Sequence, residues 1–162
     1  MNYTPTQDKK SNFERPKQSA STPGLPTFEQ IKNVIKSNDV KGLINQAEQC
    51  AKYLAENKVE PTQMRKFLEE VTKIPGCDKP VDIEMDNSPI EPTVKSKLIV
   101  LRPKFAYTVS RKGNLKLKDF NTKIIDEWLK SEEFLNTKIQ LEYFHLFIES
   151  VVAFHKVYKG NN

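Results

Sequence analysis

Apolar residues recur every three or four positions in most segments of this 162-residue chain. That spacing places them on one face of an α-helix, whereas a half-buried strand would show a spacing of two. Proline or glycine separates several of these segments, as expected at helix ends. The pattern predicts an all-α fold: a compact bundle of five to six helices with a long C-terminal helix.

The first two helices have recognisable N-caps. Thr27 followed by Gln30 is a capping-box pattern, which predicts a short helix over 27–37. Asp39 is the next N-cap residue, and the apolar positions that follow it predict a second helix over 39–57. Both predictions depend on the same physical need, because the first N–H groups of a helix lack partners within the helix.

The third helix is predicted to open at Pro61-Thr62, with Thr62 as the N-cap, and to end at Pro75-Gly76. Residues 75–92 contain four prolines and five acidic residues and show no apolar period. They predict a long, flexible, acidic loop. We expect this loop to point away from any polyanionic partner, because like charges repel.

Residues 93–112 allow two interpretations. The segment 97–101 has strand-like content, and Pro103 disfavours a helical residue before it. An apolar stripe at helical spacing favours a helix kinked near Pro103; its members are Leu98, Leu101, Phe105 and Val109. The sequence favours the helix without excluding an extended 97–102.

Two more helices are predicted in the C-terminal part. An apolar stripe between Leu117 and Leu129 defines the fifth helix. Ser131 precedes two acidic residues, a signature of a helix N-terminus, so the last helix is predicted from Phe134 to about Tyr158. It would span about 37 Å. Its apolar residues cover more than one stripe, which indicates burial on several sides or a patch exposed to a neighbouring subunit.

The N-terminal segment differs from the rest. Residues 1–26 contain four prolines and few large aliphatic side chains, and such a segment cannot bury enough surface to offset its ordering entropy. We expect a disordered tail followed by one helical domain, 27–162. No apolar run is long enough to span a bilayer and the N-terminus has no apolar signal core, so we expect a cytoplasmic protein with no membrane partner.

The charge distribution is more informative than the formal net charge of +5. No Asp or Glu occurs from residue 92 to 118, although the chain contains 21 acidic residues. Eight basic residues lie there: Lys95, Lys97, Arg102, Lys104, Arg111, Lys112, Lys116 and Lys118. Lys97, Lys104 and Arg111, here called the cation row, are seven apart, which keeps them within about 40° of one helix face at intervals of about 10 Å. Tyr107 lies beside the row and can stack on a base or a sugar.

Cations at this spacing can follow a phosphodiester backbone and bind it in a salt-dependent, sequence-independent way. The sequence has no zinc knuckle or aromatic RNA-recognition motif, so backbone contact is favoured over base readout. The alternative is that the cation row is only a solvated helix flank.

Arg65 and Lys66 form a second basic cluster near a helix N-terminus, where cations oppose the helix dipole. They either bind an anion or pair with Glu69 and Glu70.

The sequence predicts no catalytic residue, metal or cofactor. Glu142 and His145 form one Glu-x-x-His pair, whereas di-iron bundles use two such pairs with further carboxylates. His155 is ten residues from His145 and does not share its helix face. Cys50 and Cys77 have neither zinc nor disulfide spacing, so we expect reduced thiols. No nucleotide-binding or nucleophile motif occurs.

Three stretches of the chain resemble the small-subunit family of type III-A (Csm) CRISPR effector complexes. The segment Pro61-Thr62-Gln63-Met64-Arg65-Lys66-Phe67 matches the family's Thr-x-x-(apolar)-Arg-Lys helix start. Leu101-Arg102-Pro103-Lys104-Phe105-Ala106-Tyr107 with Arg111 matches its Leu-x-Pro-Lys-(apolar)-Ala-Tyr…Arg segment. Residues 147–160, Phe-Ile-Glu-Ser-Val-Val-Ala-Phe-His-Lys-Val-Tyr-Lys-Gly, match its closing Phe-x-Glu-(small)-(apolar)-Val-Ala-Tyr-His-Lys helix. Ser110 replaces the family's usual Gly and Phe154 its common Tyr.

The resemblance implies a small helical bundle, several copies of which line up beside the guide-bearing backbone subunits and help to hold the guide–target RNA duplex. It also implies that the chain is not the nuclease, because cleavage and cyclic oligonucleotide synthesis belong to other subunits. The expected partners are guide RNA, target RNA, the repeated backbone subunit, the large subunit and further copies of the chain. The basic residues and the histidine that match are Arg65, Lys66, Arg102, Lys104, Arg111, His155 and Lys156.

Charge and resemblance together give nine candidate RNA-binding residues: Arg65, Lys66, Lys97, Arg102, Lys104, Tyr107, Arg111, Lys112 and Lys156. The alternative function is a helical protein–protein adaptor without direct RNA contact, suggested by the wide apolar surface of the last helix. Salt separates the two, because only backbone contact predicts a steep fall of affinity with ionic strength.

Overall fold

The computed structural model describes residues 24–111 and 113–160. These residues form six helices and no β-strand, which confirms the predicted all-α fold. The fifth helix is continuous but contains a central π-helical segment. The helices are α1 (Phe28–Lys36), α2 (Val40–Glu56), α3 (Pro61–Thr72), α4 (Pro92–Ser110), α5 (Leu115–Phe120, π-helical Asn121–Ile125 and Asp126–Lys130) and α6 (Lys138–Gly160).

The predicted starts of α1 and α2 are confirmed. The backbone N–H of Gln30 donates to the Thr27 hydroxyl at 3.2 Å, and the N–H of Thr27 donates to the Gln30 side chain at 2.9 Å. The Asp39 carboxylate accepts from the N–H of Gly42 at 2.8 Å. Each side chain satisfies a helix N–H that no carbonyl of the same helix can reach.

The predicted N-cap of α3 is wrong. Glu60, not Thr62, occupies that position, and Pro61 is the first helical residue. Proline suits this place because it has no N–H to satisfy and its φ angle is already helical. The Gln63 side chain accepts from the N–H of Glu60 at 3.1 Å. The same local sequence therefore opens the helix two residues earlier than predicted.

The ambiguous segment is helical. Residues 97–102 lie inside α4, and Pro103 is accommodated in the helix interior. Proline removes the hydrogen bond to the carbonyl four residues earlier, that of Ile99. Pro103 is exposed and Ile99 is 59% exposed, so water can replace the missing donor. Gly113 follows the helix with φ of 63°, a conformation that favours glycine.

The predicted start of the last helix at Phe134 is wrong. The helix begins at Lys138, and Ser131 instead stabilises a turn by accepting from the N–H of Phe134 at 3.2 Å. The true start has its own capping box: the Thr137 hydroxyl accepts from the N–H of Gln140 at 3.4 Å, while the Gln140 side chain accepts from the N–H of Thr137 at 3.1 Å. The helix still has 23 residues.

The core lies between α6 and the other helices, with α2 and α3 as its main neighbours. The indole of Trp128 packs edge-on against Phe144, with ring centroids 5.2 Å apart. Tyr143 and Phe147 of α6 are also buried. The wide apolar surface of α6 is thus largely enclosed by the chain itself.

The acidic segment between α3 and α4 lies against the start of α6. The carbonyls of Asp86 and Ser88 each accept at 2.9 Å, from the N–H groups of Ile139 and Lys138, and the N–H of Ile90 donates to the Asn136 carbonyl at 2.9 Å. These bonds attach the end of the segment to the bundle. The predicted flexibility of the whole 75–92 loop stays a prediction.

Most of the predicted tail, residues 1–23, lies outside the described residues. The end that is described contacts the bundle, since the Gln49 side chain donates to the carbonyl of Gly24 at 2.8 Å.

Among the helices of the described residues, none combines the length and apolarity that crossing a membrane requires. Both cysteines are unpaired and buried, and burial raises the pKa of each thiol.

Candidate nucleic-acid interface

The cation row lies on an exposed side of α4. Lys97 and Lys104 are on the helix and Arg111 is its C-cap, and all three side chains are exposed. The buried stripe of the same helix, which includes Leu98, Leu101 and Phe105, faces the core. The predicted helical spacing therefore applies, and the three cations follow one another at about 10 Å along the helix.

Tyr107 lies beside the cation row and is 64% exposed. The guanidinium carbon of Arg111 is 5.6 Å from the centre of the Tyr107 ring, within the range of a cation–π contact. The contact holds the Arg111 charge close to the helix surface. It leaves Tyr107 exposed and gives the C-terminal end of the row a combined aromatic and cationic character.

Glu70 of α3 forms an ion pair with the cation row. Its carboxylate accepts from Lys73 at 2.9 Å and from Lys104 at 3.2 Å, so it links α3 to α4. The hydrogen bond from Lys73 lowers the pKa of Glu70, and Lys104 lowers it further. The carboxylate therefore stays charged near neutral pH and partly compensates two ammonium groups.

Arg102 is not part of the cation row. It binds the carboxylate of Asp126 on α5 with both ends of its guanidinium, at 2.8 and 3.2 Å. Arg102 and Lys104 are two residues apart, about 200° around the helix, so they point to different sides. The structure places Arg102 at the contact between α4 and α5.

Arg65 and Lys66 are exposed on α3. Neither forms an ion pair with Glu69 or Glu70 within residues 24–111 and 113–160, and Glu70 pairs with lysines further along instead. Lys66 is four residues before Glu70, so it lies one turn away on the same face. That face is the side of α3 on which the carboxylate reaches α4.

No hydrogen bond or ion pair among the described residues joins Lys156 to the cation row. Lys156 is exposed near the end of α6, whose main neighbours are α2 and α3, whereas α4 packs chiefly against α3 and α5. Lys112 lies outside the described residues. Lys73 was missed, although it follows Lys66 at the same seven-residue spacing that revealed the cation row.

Both histidine side chains lie in the interior of the bundle. His155 is fully buried, and its Nε2 lies 2.9 Å from the carbonyl oxygen of Val59. His145 is also buried, with Nε2 3.8 Å from the carboxylate of Glu149. Burial lowers the pKa of both imidazoles. In the part of the chain that the structure describes, no three His, Cys, Asp or Glu side chains are placed to hold a metal ion.

A family model described as Csm2 Type III-A matches residues 37–161. No curated protein and no solved structure matches the chain significantly. The match covers more than half of the chain and contains all three stretches that carry the resemblance seen in the sequence. The chain therefore belongs to the Csm2 family, the small subunits of type III-A CRISPR complexes.

Proposed function

We propose that this Csm2-family chain is a non-catalytic, cytoplasmic subunit that binds the sugar–phosphate backbone of the guide–target RNA duplex. The observation that carries the proposal is the exposed cation row on α4, in a stretch of 27 residues without an acid. Lys97, Lys104 and Arg111 supply the main contact, with Tyr107 beside them. Guide RNA and target RNA are the partners of this surface.

The geometry suits a backbone rather than bases. Cations spaced about 10 Å apart on one helix face can each neutralise phosphates along a strand and release condensed counterions. Such binding carries no sequence information. A guide-dependent complex needs none from this subunit, because base pairing between guide and target supplies it.

Further candidates extend this surface or lie apart from it. Lys66 lies on the face of α3 that carries Glu70 and lengthens the basic surface, and Arg65 is an exposed cation next to it in the sequence. Arg102 points to another side of α4, and Lys156 lies on α6, which packs chiefly against α2 and α3; both contribute less to the same strand. The other Csm subunits and further copies of the chain occupy the remaining faces of the bundle.

A protein–protein adaptor without RNA contact is the second candidate, and exposed apolar side chains favour it. Ile99 is 59% and Val100 49% exposed on α4. The wide apolar surface of α6 also suggested an adaptor, but most of the apolar residues of α6 are buried within the chain. An adaptor would bind its neighbours through apolar contact and would respond little to salt.

The test is RNA binding by a variant in which Lys97, Lys104 and Arg111 are all changed to Glu. We expect affinity for a guide–target duplex to fall at least tenfold at about 0.1 M salt and the salt dependence to become shallower, because fewer counterions are released. The control is Lys41, Lys79 and Lys123 changed to Glu, three exposed lysines elsewhere with the same change in charge.

An equal loss in the two variants would mean that net charge, not the cation row, determines affinity. An unchanged affinity in the first variant, with its helical circular dichroism retained, would contradict RNA binding by α4. If the first variant still binds RNA but no longer assembles with the other Csm subunits, the adaptor function is favoured.

A further inference from the structure

A cleft between α3 and α4 lies next to the cation row. Its volume is about 340 Å³, within the range of small-molecule sites in proteins. The floor is apolar and the rim is charged. Ile74, Val100 and Leu101 form the floor, and Lys73, Lys97, Lys104 and Glu70 stand at the rim.

The floor is well defined because two of its three residues belong to the core. Ile74 and Leu101 are 3% and 2% exposed, so they cannot move without disturbing the packing of α3 and α4. Val100 is the exposed member of the floor. A flat apolar group can replace water on this surface with a gain in hydrophobic free energy.

The rim has three ammonium groups and one carboxylate. Lys73 and Lys104 both bind the Glu70 carboxylate, at 2.9 and 3.2 Å, and Lys97 forms no ion pair within the described residues. The carboxylate compensates only one of three positive charges. A ligand with one negative charge therefore fits the rim, and Lys97 is the cation already available to it.

We propose that this cleft holds one unpaired nucleotide of the bound RNA, with its base against Ile74, Val100 and Leu101 and its phosphate at the lysines of the rim. The proposal rests on the function proposed above, since the cation row would bring the strand to the cleft. Lys97 and Lys104 belong both to the row and to the rim, so a strand that follows the row passes the opening. A paired base could not enter, because its Watson–Crick edge and both its faces are already occupied.

Glu70 acts in this arrangement as a competitor of the phosphate. It holds Lys73 and Lys104 in the absence of RNA, and a phosphate must share or displace it. Removing its charge should therefore strengthen nucleotide binding. A merely structural Glu70 would give the opposite result, because losing the link between α3 and α4 would weaken the site.

The experiment compares two RNA probes with the full-length chain: a fully paired duplex, and the same duplex with one unpaired nucleotide in one strand. We expect the second probe to bind about fivefold more tightly or better, in line with the burial of a single base. In Val100→Gln the two probes should bind equally, because a polar group replaces part of the floor. Ile99→Gln, a neighbouring exposed residue outside the cleft, should keep the wild-type difference.

A second pair of variants tests the rim. Glu70→Gln should tighten binding of the probe with the unpaired nucleotide by a few fold. Glu69→Gln, the same change of charge at an exposed residue outside the cleft, should act equally on both probes. A loss of affinity in Glu70→Gln would overturn the role of the rim.

The outcomes separate this proposal from the function on which it rests. Equal binding of both probes by the wild-type chain overturns the nucleotide cleft but leaves backbone binding intact. Binding of neither probe overturns both. If Val100→Gln keeps the difference between probes but loses assembly with other Csm subunits, the cleft contacts protein and the proposal is wrong.

Discussion

The two longest helices, α4 and α6, are both rich in apolar residues but use them in opposite ways. α6 is enclosed on several sides, and even polar groups such as His145 and His155 are buried there. α4 buries a single stripe and exposes Ile99, Val100 and Tyr107 together with the cation row. One helix maintains the bundle, whereas the other presents a surface.

This difference shows which parts of the sequence the fold itself requires. Removing apolar surface from α6 removes core contacts, since its side chains pack against α2 and α3. The exposed residues of α4 contribute little to the core, and the 27 residues around them contain no acid. Folding does not require these exposed basic residues or the absence of acids around them, so they point to a partner. For a basic surface such as that of α4, the partner would be polyanionic.

The largest expected effect separates two isoleucines, one from each helix. Ile148→Ala in α6 should destabilise the chain by about 2–5 kcal/mol, because the residue is 1% exposed and its removal leaves a cavity. Ile99→Ala in α4, at 59% exposure, should change stability by about 0.5 kcal/mol or less. Denaturant unfolding of both variants measures the difference, and similar losses would show that the outer face of α4 is needed for the fold.

A smaller effect concerns the buried polar groups of α6. Burial lowers the pKa of His155 from its ordinary value of 6.5, so the unfolded chain takes up a proton at a higher pH than the folded chain. Stability should therefore be highest above pH 6.5 and fall as the pH is lowered towards the folded-state pKa. We expect Tm to drop between pH 7.5 and 5.

The variant His155→Gln tests this origin of the drop. Its amide can still donate to the Val59 carbonyl but cannot take up a proton, so the Tm drop should shrink by about 2–5 °C. The acidic residues titrate in both proteins and cancel in the comparison. A drop of unchanged size in His155→Gln would assign the pH dependence to His145 or to the carboxylates.

The smallest effect lies within α4 and distinguishes two cations two residues apart. Arg102→Gln removes the ion pair to Asp126 and should lower Tm by about 1–3 °C with little change in RNA affinity. Lys104→Gln should weaken RNA binding severalfold with a similar or smaller change in Tm. Thermal melts and RNA titrations of both variants decide the matter, and a greater loss of RNA affinity in Arg102→Gln would reverse the assignment.

The sequence predicted the helices well because their signals are local. The Thr27 capping box, the Asp39 N-cap and the apolar stripe through Leu98 and Leu101 each depend on residues within two turns. The start of α6 was misplaced because Ser131 and its acidic neighbours gave a competing local signal. The capping box at Thr137 and Gln140 is the signal at which the helix begins. Only the packed turn before Thr137 shows which of the two signals starts the helix.

The site was harder to predict, because its contacts join distant residues. Nothing near Arg102 in the sequence indicates that Asp126, 24 residues later, binds it. The sequence left open whether Glu70 pairs with Lys66 on its own helix, and it gave no sign of Lys104, 34 residues away, which Glu70 binds. Exposure of the cation row followed from periodicity, whereas the ion pairs that occupy neighbouring cations depend on how the helices pack.

The acidic segment before α4 has a consequence for how the length of the chain can vary. The first two N–H groups of α6 donate to the carbonyls of Ser88 and Asp86, so residues 86–90 complete the N-terminus of a helix fifty residues further along. Residues 78–80, by contrast, are all exposed. Insertions, affinity tags or crosslinking groups are therefore best tolerated at 78–80, and the same additions at 86–90 would unravel the first turn of α6.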